Sequence, residues 1–166
     1  MSVTQALIGE LEQEAATTRR VLERVPEDKL GWKPHEKSMS LGQLALHIAN
    51  TLGTVAKMAA RNDVSPPDFQ QAEAGSSAEV LAALDESVAK AKTYLAGVSD
   101  ESAAEEWRVV AGGQTVMAMP RMGLLRAIML NHWYHHRGQM TVYLRELDVP
   151  VPSVYGPSAD ENPFAG

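Results

Sequence analysis

The chain has 166 residues, a formal net charge of −6 and no cysteine. Its length suits one domain, so we expect residues 1–166 to fold as a single unit. The negative charge argues against general nucleic-acid binding, which requires a basic surface, and the lack of cysteine excludes disulfides and thiolate ligands. No apolar run approaches the roughly 20 residues that span a bilayer, and the N-terminal segment lacks a secretory pattern. We therefore expect a cytoplasmic protein that binds neither membranes nor nucleic acids.

Four long amphipathic segments predict four helices. In each of them apolar residues recur at steps of three and four, which is the spacing of one helix face. The segments span about 3–25, 41–61, 77–96 and 120–147. Ser40, with Gln43 three residues later, predicts a capping box at the start of the second helix. Because no strong strand signal separates the segments, they predict an all-α fold, a four-helix bundle with long connections.

Two further stretches are less regular. Runs that favour strands flank Gly112 and Gly113 within residues 107–119, a pattern that fits a short hairpin and an extended loop equally well. The tail after Leu147 is rich in proline, serine and glycine but also carries apolar residues, so we expect it to pack along the bundle. Gly138, inside the fourth helix, costs about 1 kcal/mol relative to alanine, which predicts that another segment approaches closely there.

Histidines are concentrated in the fourth helix, where "NHWYHHRGQM" holds His132, His135 and His136. His132 and His136 are four residues apart, so their rings are neighbours within the apolar stripe, whereas His135 falls toward its edge. Two buried imidazoles lose solvation and repel each other when charged, but one divalent cation can bind both as neutral ligands. Hydrogen-bonded core histidines are the alternative. A third ligand would have to come from another helix, and His47 is the candidate.

The stretches "WKPHEKSMSLGQLALHIAN" and "NHWYHHRGQMTVYLRELDVPVPSVYGPSADE" resemble the DinB/YfiT-like superfamily. The resemblance implies a four-helix bundle, often a homodimer, in which three histidines bind a divalent metal ion. Matched by position, these histidines are His47, His132 and His136. Imidazole ligands suit several metals, of which we expect zinc or nickel. Leu46, on the far side of the second helix, is the one residue that suggests a partner surface.

The resemblance also implies an activity, because the superfamily includes metal-dependent hydrolases as well as transferases and isomerases that use low-molecular-weight thiols. It therefore points to a metal-dependent enzyme acting on a small molecule, with such a thiol as cosubstrate in the transferase case. Arg137, Gln139 and Tyr155 are candidates for catalytic or substrate contacts. The alternative is a non-catalytic, stress-associated binding or structural bundle whose metal serves stability. Haem held by histidine and methionine is a third interpretation.

Overall fold

The computed structural model describes residues 2–68 and 70–165 and is mostly helical. Its α-helices are α1 (Val3–Leu22), α2 (Leu41–Ala59), α3 (Ser77–Ala96), α4 (Asp100–Ala104), α5 (Arg121–Leu124) and α6 (His132–Glu146). One sheet contains the strands β1 (Asp63–Val64), β2 (Glu106–Ala111) and β3 (Gln114–Pro120). A π-helical segment, Leu125–Asn131, joins α5 to α6. Residues 121–146 therefore form one continuous helical stretch, which we call the composite helix.

The first three long predicted helices are present as single α-helices, and the fourth is the composite helix. The helix ends follow local sequence signals. Ser40 begins α2 with the predicted capping box: its hydroxyl accepts from the Gln43 N–H, while the Gln43 side chain accepts from the Ser40 N–H. The third helix has its predicted bounds, 77–96. The first helix ends at Leu22, a few residues earlier than predicted, because the residues before Pro26 are disfavoured from continuing a helix.

The α2 helix is the central helix of the fold. Lys57 is its only residue among lysine, arginine, aspartate and glutamate, and most of its residues are buried. Because a helix that is apolar on nearly all sides must be covered on nearly all sides, α2 packs against α3, α6 and the π-helical segment. Gly53 permits the close approach of α3, since a methyl group there would meet the Cα atom of Ser87 at 3.2 Å. On the opposite side, the Nε1 of Trp133 donates to the Ile48 carbonyl at 3.0 Å.

The small sheet corrects the all-α prediction. Strands β2 and β3 pair antiparallel through a two-residue turn at Gly112 and Gly113, whose φ values of +56° and +78° favour glycine. The hairpin interpretation of residues 107–119 is therefore confirmed. Strand β1 pairs with β2 in parallel. Because β1 is only two residues long, the sequence carries no pattern that predicts it. Trp107 of β2 connects the sheet to α2. Its side chain is buried, and its Nε1 donates to the carbonyl of Met58 in α2 at 3.2 Å.

The C-terminal tail lies against α1 and α6. Val151 and Ser153 are buried, and the Ser153 carbonyl accepts from the Arg20 guanidinium of α1 at 3.2 Å. Further along the tail, Asp160 pairs with Arg145 of α6 at 2.5 Å. These contacts agree with the expectation that the tail packs on the helices rather than extending into solvent.

Two expectations about single residues are wrong. A methyl group added at Gly138 would meet no neighbouring atom within 4 Å, so no segment among the described residues approaches closely there. Leu46 is 7% exposed and lines a cavity inside the fold, so it does not present a partner surface. Among the helices that the structure describes, none combines the length and the apolarity needed to cross a membrane.

Candidate metal centre

Three histidines from two helices come together at one point. His47 lies on α2, and His132 and His136 lie one turn apart on α6. Each ring offers one nitrogen such that the three nitrogen atoms lie within 4.8 Å of one another, an arrangement that can hold a metal ion. The ring centroids are separated by 4.3 to 5.2 Å. The structure thus brings together the three histidines that are predicted as ligands from the sequence.

Two glutamine side chains orient two of the rings. The Nδ1 of His47 is 3.0 Å from the Oε1 of Gln71, and the Nδ1 of His136 is 2.7 Å from the Oε1 of Gln139. An amide oxygen can only accept, so each Nδ1 carries the proton that it donates. The Nε2 atoms of His47 and His136 are then left with lone pairs, which is the tautomer required for binding a metal through Nε2.

The third ring, that of His132, faces its neighbour. Its Nε2 lies 2.9 Å from the Nε2 of His136, and two lone pairs cannot face each other at this distance unless a proton or a cation lies between them. Two imidazole nitrogens bound to one tetrahedral zinc ion are about 3.3 Å apart, close to the observed separation. The buried Nδ1 of His132 has no hydrogen-bond partner among the described residues. The donor set therefore fits a divalent cation, which would also fix the orientation of the His132 ring.

Burial keeps the three rings neutral. Desolvation lowers the pKa of His136 to about 4, against the opposing effect of its hydrogen bond to Gln139. Desolvation also lowers the pKa of His47 and of His132, and in each case a neighbouring histidine adds to the shift. Metal binding requires the neutral imidazole. All three rings are thus in the binding form at neutral pH.

The π-helical segment ends directly before His132. A π-helical turn contains one residue more than an α-helical turn, so the residues that follow it are rotated relative to an uninterrupted α-helix, and such turns are frequent at functional sites. Leu124 is buried before the π-helical segment, Met129 and Leu130 are buried within it, and Trp133 and Met140 are buried after it. The segment thus allows both halves of the composite helix to pack on the core while His132 faces α2.

A cavity of about 680 Å³ opens beside the histidines, and His47 and His132 form part of its wall. Most of the remaining wall is apolar and includes Trp107, Leu124 and Ile128. Structural zinc sites are normally closed by four protein ligands, whereas catalytic sites have three and leave a position open. Three histidines beside a cavity match the second arrangement.

Comparison with known proteins agrees with this architecture. A model described as the DinB family matches residues 1–163. The chain belongs to the DinB family. This finding confirms the resemblance seen in the sequence.

Relatives and solved structures cover most of the chain. The uncharacterized protein YrdA of Bacillus subtilis (strain 168) is 28% identical over 156 residues, which are 90% of this chain and 86% of YrdA. The uncharacterized protein YjoA of the same organism is 27% identical over 131 residues, covering 78% and 81%. The crystal structure of the DinB-like protein YjoA matches with a TM-score of 0.70 at 24% identity, over 90% of this chain and 96% of YjoA. A DinB-like protein from Bacillus cereus ATCC 10987 matches with a TM-score of 0.71 at 21% identity, over 93% and 98%. These structural matches show a shared DinB-like fold.

Of the three candidates for catalytic or substrate contacts, Gln139 lies at the metal centre, whereas Arg137 and Tyr155 lie elsewhere. Gln139 contacts the His136 ring, as described above. Arg137, by contrast, is 1% exposed and pairs with the Glu14 carboxylate of α1 at 2.6 Å, and its guanidinium also donates to the Tyr155 hydroxyl at 2.5 Å. Neither Arg137 nor Tyr155 is among the described residues that line the cavity. His135 is exposed.

Sequence reasoning missed Gln71, the partner of His47. It lies in the segment between β1 and α3, which has no regular periodicity. The Gln71 carbonyl accepts from the Gln43 side chain at 3.3 Å, and Glu73 accepts from the Ser40 hydroxyl at 2.7 Å. The start of α2 thus fixes the loop, and the loop fixes the His47 ring. No local pattern in the DinB-family sequence signals this contact.

Proposed function

We propose that this DinB-family chain binds one divalent metal ion through His47, His132 and His136 and uses it in an enzymatic reaction on a small molecule. The observation that carries the proposal is the convergence of three neutral imidazoles at the wall of an apolar cavity. Imidazole ligands suit zinc and nickel, and these are the metals that we propose. A ligand set of three leaves room for an exogenous ligand on the metal.

Bound here, a divalent ion would lower the pKa of a coordinating water molecule or thiol and so supply a nucleophile near neutral pH. The residues of the chain bind the metal ion and orient its ligands. Gln71 and Gln139 hold two rings with Nε2 directed toward the centre. A substrate bound against the apolar part of the wall near His132 would displace water from that space.

The reaction that we favour is a thiol-dependent transfer or isomerisation. A thiol loses its proton on coordination, so this chemistry needs no protein base, whereas hydrolysis usually relies on one. Among the described residues that line the cavity, Asp68 is the single carboxylate. A low-molecular-weight thiol is therefore the proposed cosubstrate, and metal-dependent hydrolysis is the second candidate, with Asp68 as the residue available to assist it.

The proposal also includes the architecture and setting implied by the family resemblance: a four-helix bundle that forms a homodimer in the cytoplasm. Light scattering of the purified chain tests the assembly, with a mass of two chains expected. A mass of one chain at all assay concentrations would contradict the dimer and leave the metal proposal intact.

Metal analysis of protein purified without a histidine tag tests the site. We expect about one equivalent of metal per chain after reconstitution, and its loss in His47→Ala, His132→Ala and His136→Ala. His135→Ala is the matched control, because that exposed histidine lies next to His136 on the same helix. Less than a tenth of an equivalent in the reconstituted wild-type chain would overturn the site.

Activity assays distinguish the proposed enzymatic role from a non-catalytic binding role. Metal-loaded wild-type chain and His136→Ala are compared in thiol-transfer assays with an electrophilic substrate and in ester-hydrolysis assays. We expect turnover that depends on metal and is retained by His135→Ala. A metal that raises the melting temperature without any turnover in either assay would favour the non-catalytic, stabilising role instead.

A further inference from the structure

The cavity beside the histidines is built from four parts of the fold: α2, the composite helix, the sheet and the loop between β1 and α3. Val55 and Met58 come from α2, Ile128 comes from the composite helix, and Trp107 and Val116 come from the sheet. Its volume of about 680 Å³ lies within the usual range of small-molecule sites. The same wall contains His47 and His132, so a molecule in the cavity would contact the proposed metal centre.

The charge of this lining is unusual for a site that takes a charged molecule. Among the described residues that line the cavity there is no lysine or arginine, and Asp68 is the single acidic side chain. The neighbouring groove between α2 and α3 differs, because Lys57, Glu86 and Lys90 line it. Apart from a metal ion at the histidines, a ligand that carries carboxylates would find no cation in the first cavity to offset the hydration that it loses there. A neutral apolar ligand would instead gain from each group that it buries.

The sheet supplies apolar side chains at the rim. Val116 is 61% exposed and Met117 is 50% exposed, although both are large and apolar, and both line the cavity. Exposed apolar side chains beside a pocket are available to cover a bound apolar molecule. The rim and the interior therefore favour the same kind of ligand.

We propose that the substrate is a molecule without carboxylate or phosphate groups and that the cavity binds its neutral, apolar part. Its reactive group lies at His47 and His132, and its apolar part extends toward Trp107 and the β2–β3 hairpin. The position of the reactive group rests on the proposed function. The cavity then holds the second reactant of the proposed transfer rather than a carboxylate-bearing thiol.

A neutral fluorescent probe, N-phenyl-1-naphthylamine, tests the cavity with or without metal. We expect it to bind to the metal-free and the metal-loaded chain, and to be displaced by 1-alkanols. From 1-butanol to 1-octanol the affinity should rise about fourfold per methylene group, which corresponds to the ~0.8 kcal/mol gained by burying one CH₂. Glutathione, which carries two carboxylates, should not displace the probe at the concentrations at which 1-octanol does.

Two exposed valines give a matched pair of variants. Val116→Asp places a carboxylate at the rim and should weaken probe binding roughly fivefold or more. Val142→Asp, at a site on α6 that is 58% exposed and outside the described lining, should change it by less than about twofold. Equal weakening in both variants, no binding to the wild-type chain, or displacement by glutathione would each overturn the inference.

Metal analysis of the same samples distinguishes this inference from the proposed function. Probe binding by a chain that takes up no metal on reconstitution would support the cavity as a ligand site and overturn the metal proposal, whereas a metal-loaded chain that does not bind the probe would do the reverse. Octanohydroxamic acid, which has an apolar tail, is uncharged at neutral pH and binds a metal as the hydroxamate, tests whether the cavity and the metal centre are connected. It should bind to the metal-loaded chain more tightly than acetohydroxamate does, and Val116→Asp should reduce that advantage. An equal affinity of the two hydroxamates would place the cavity out of reach of the metal and contradict the inference.

Discussion

Replacing Arg137 with methionine should cost far more stability than the same change at Arg145, although both arginines lie on α6 and pair with a carboxylate. The Arg137 guanidinium is 2.6 Å from the Glu14 carboxylate and lies over the ring of Tyr155, and the Tyr155 hydroxyl donates to the same carboxylate at 2.9 Å. Arg137 is 1% exposed and Glu14 is 8% exposed. Methionine would leave the Glu14 charge buried with a single remaining side-chain donor, Tyr155.

Breaking a buried ion pair by removing one partner costs about 3–5 kcal/mol. For a chain of this length each kilocalorie lowers the melting temperature by about 2–4 °C, so Arg137→Met should melt roughly 10 °C below the wild-type chain. Urea unfolding gives the free energy directly. Tryptophan fluorescence is a suitable signal, because Trp107 and Trp133 are buried and become exposed when the chain unfolds.

Arg145→Met is the control, since the Arg145 side chain is 48% exposed in its pair with Asp160 and exposed pairs contribute about 0–1 kcal/mol. In a double variant, Glu14→Gln should recover part of the loss caused by Arg137→Met, because no charge then stays buried. Equal costs at Arg137 and Arg145, or a further loss on adding Glu14→Gln, would refute the reasoning. A folded Arg137→Met chain that no longer binds metal or probe would instead favour a role for Arg137 at the site.

Three other substitutions test the hydrogen bond that orients the His136 ring and the packing of α6. Gln139→Leu removes the acceptor for the His136 Nδ1 and should weaken metal affinity about 10–100-fold in a chelator competition, whereas Gln139→Glu, which keeps an acceptor, should stay close to wild type. Gly138→Ala should raise the free energy of unfolding by about 0.5–1 kcal/mol, because a methyl group there has free space around it; a loss of stability would mean a hidden contact. Trp133→Phe removes the hydrogen bond to the Ile48 carbonyl and should lower the unfolding free energy by about 1–3 kcal/mol, and an unchanged urea midpoint would contradict that role.

Local signals account for the features that the sequence predicted well. The capping box at Ser40 and the spacing of His132 and His136 each involve residues within one helical turn. Such features depend on the backbone of a single helix, so they can be recognised before the tertiary structure is known. His47 is different, because the helical periodicity leaves it only a candidate for the third ligand and the family resemblance supplies the assignment. Its position near the edge of its apolar stripe left the periodicity argument incomplete.

The missed features depend on contacts between distant segments or on a change of helical phase. The β1–β2 pair joins residues that are 45 positions apart, as Asp63 and Arg108 show. The burial of Arg137 had a local sign, since it follows Trp133 by four residues and precedes Met140 by three, and both of these are buried. A helical wheel drawn with one period over residues 120–147 obscures that stripe, because the π-helical segment changes the phase before His132.

The loop that carries Gln71 has a consequence for how DinB-family proteins can diverge. One segment, residues 65–68 and 70–76, supplies both the hydrogen bond to the His47 ring and, through Pro66, Pro67 and Gln70, part of the cavity wall. Loops tolerate insertions and deletions better than the helices that they connect. A change in the length of this one loop would therefore alter the basicity of a ligand and the shape of the substrate space together, while α2 and α6 stay as they are. Changes in this loop can therefore alter the site while the fold stays the same.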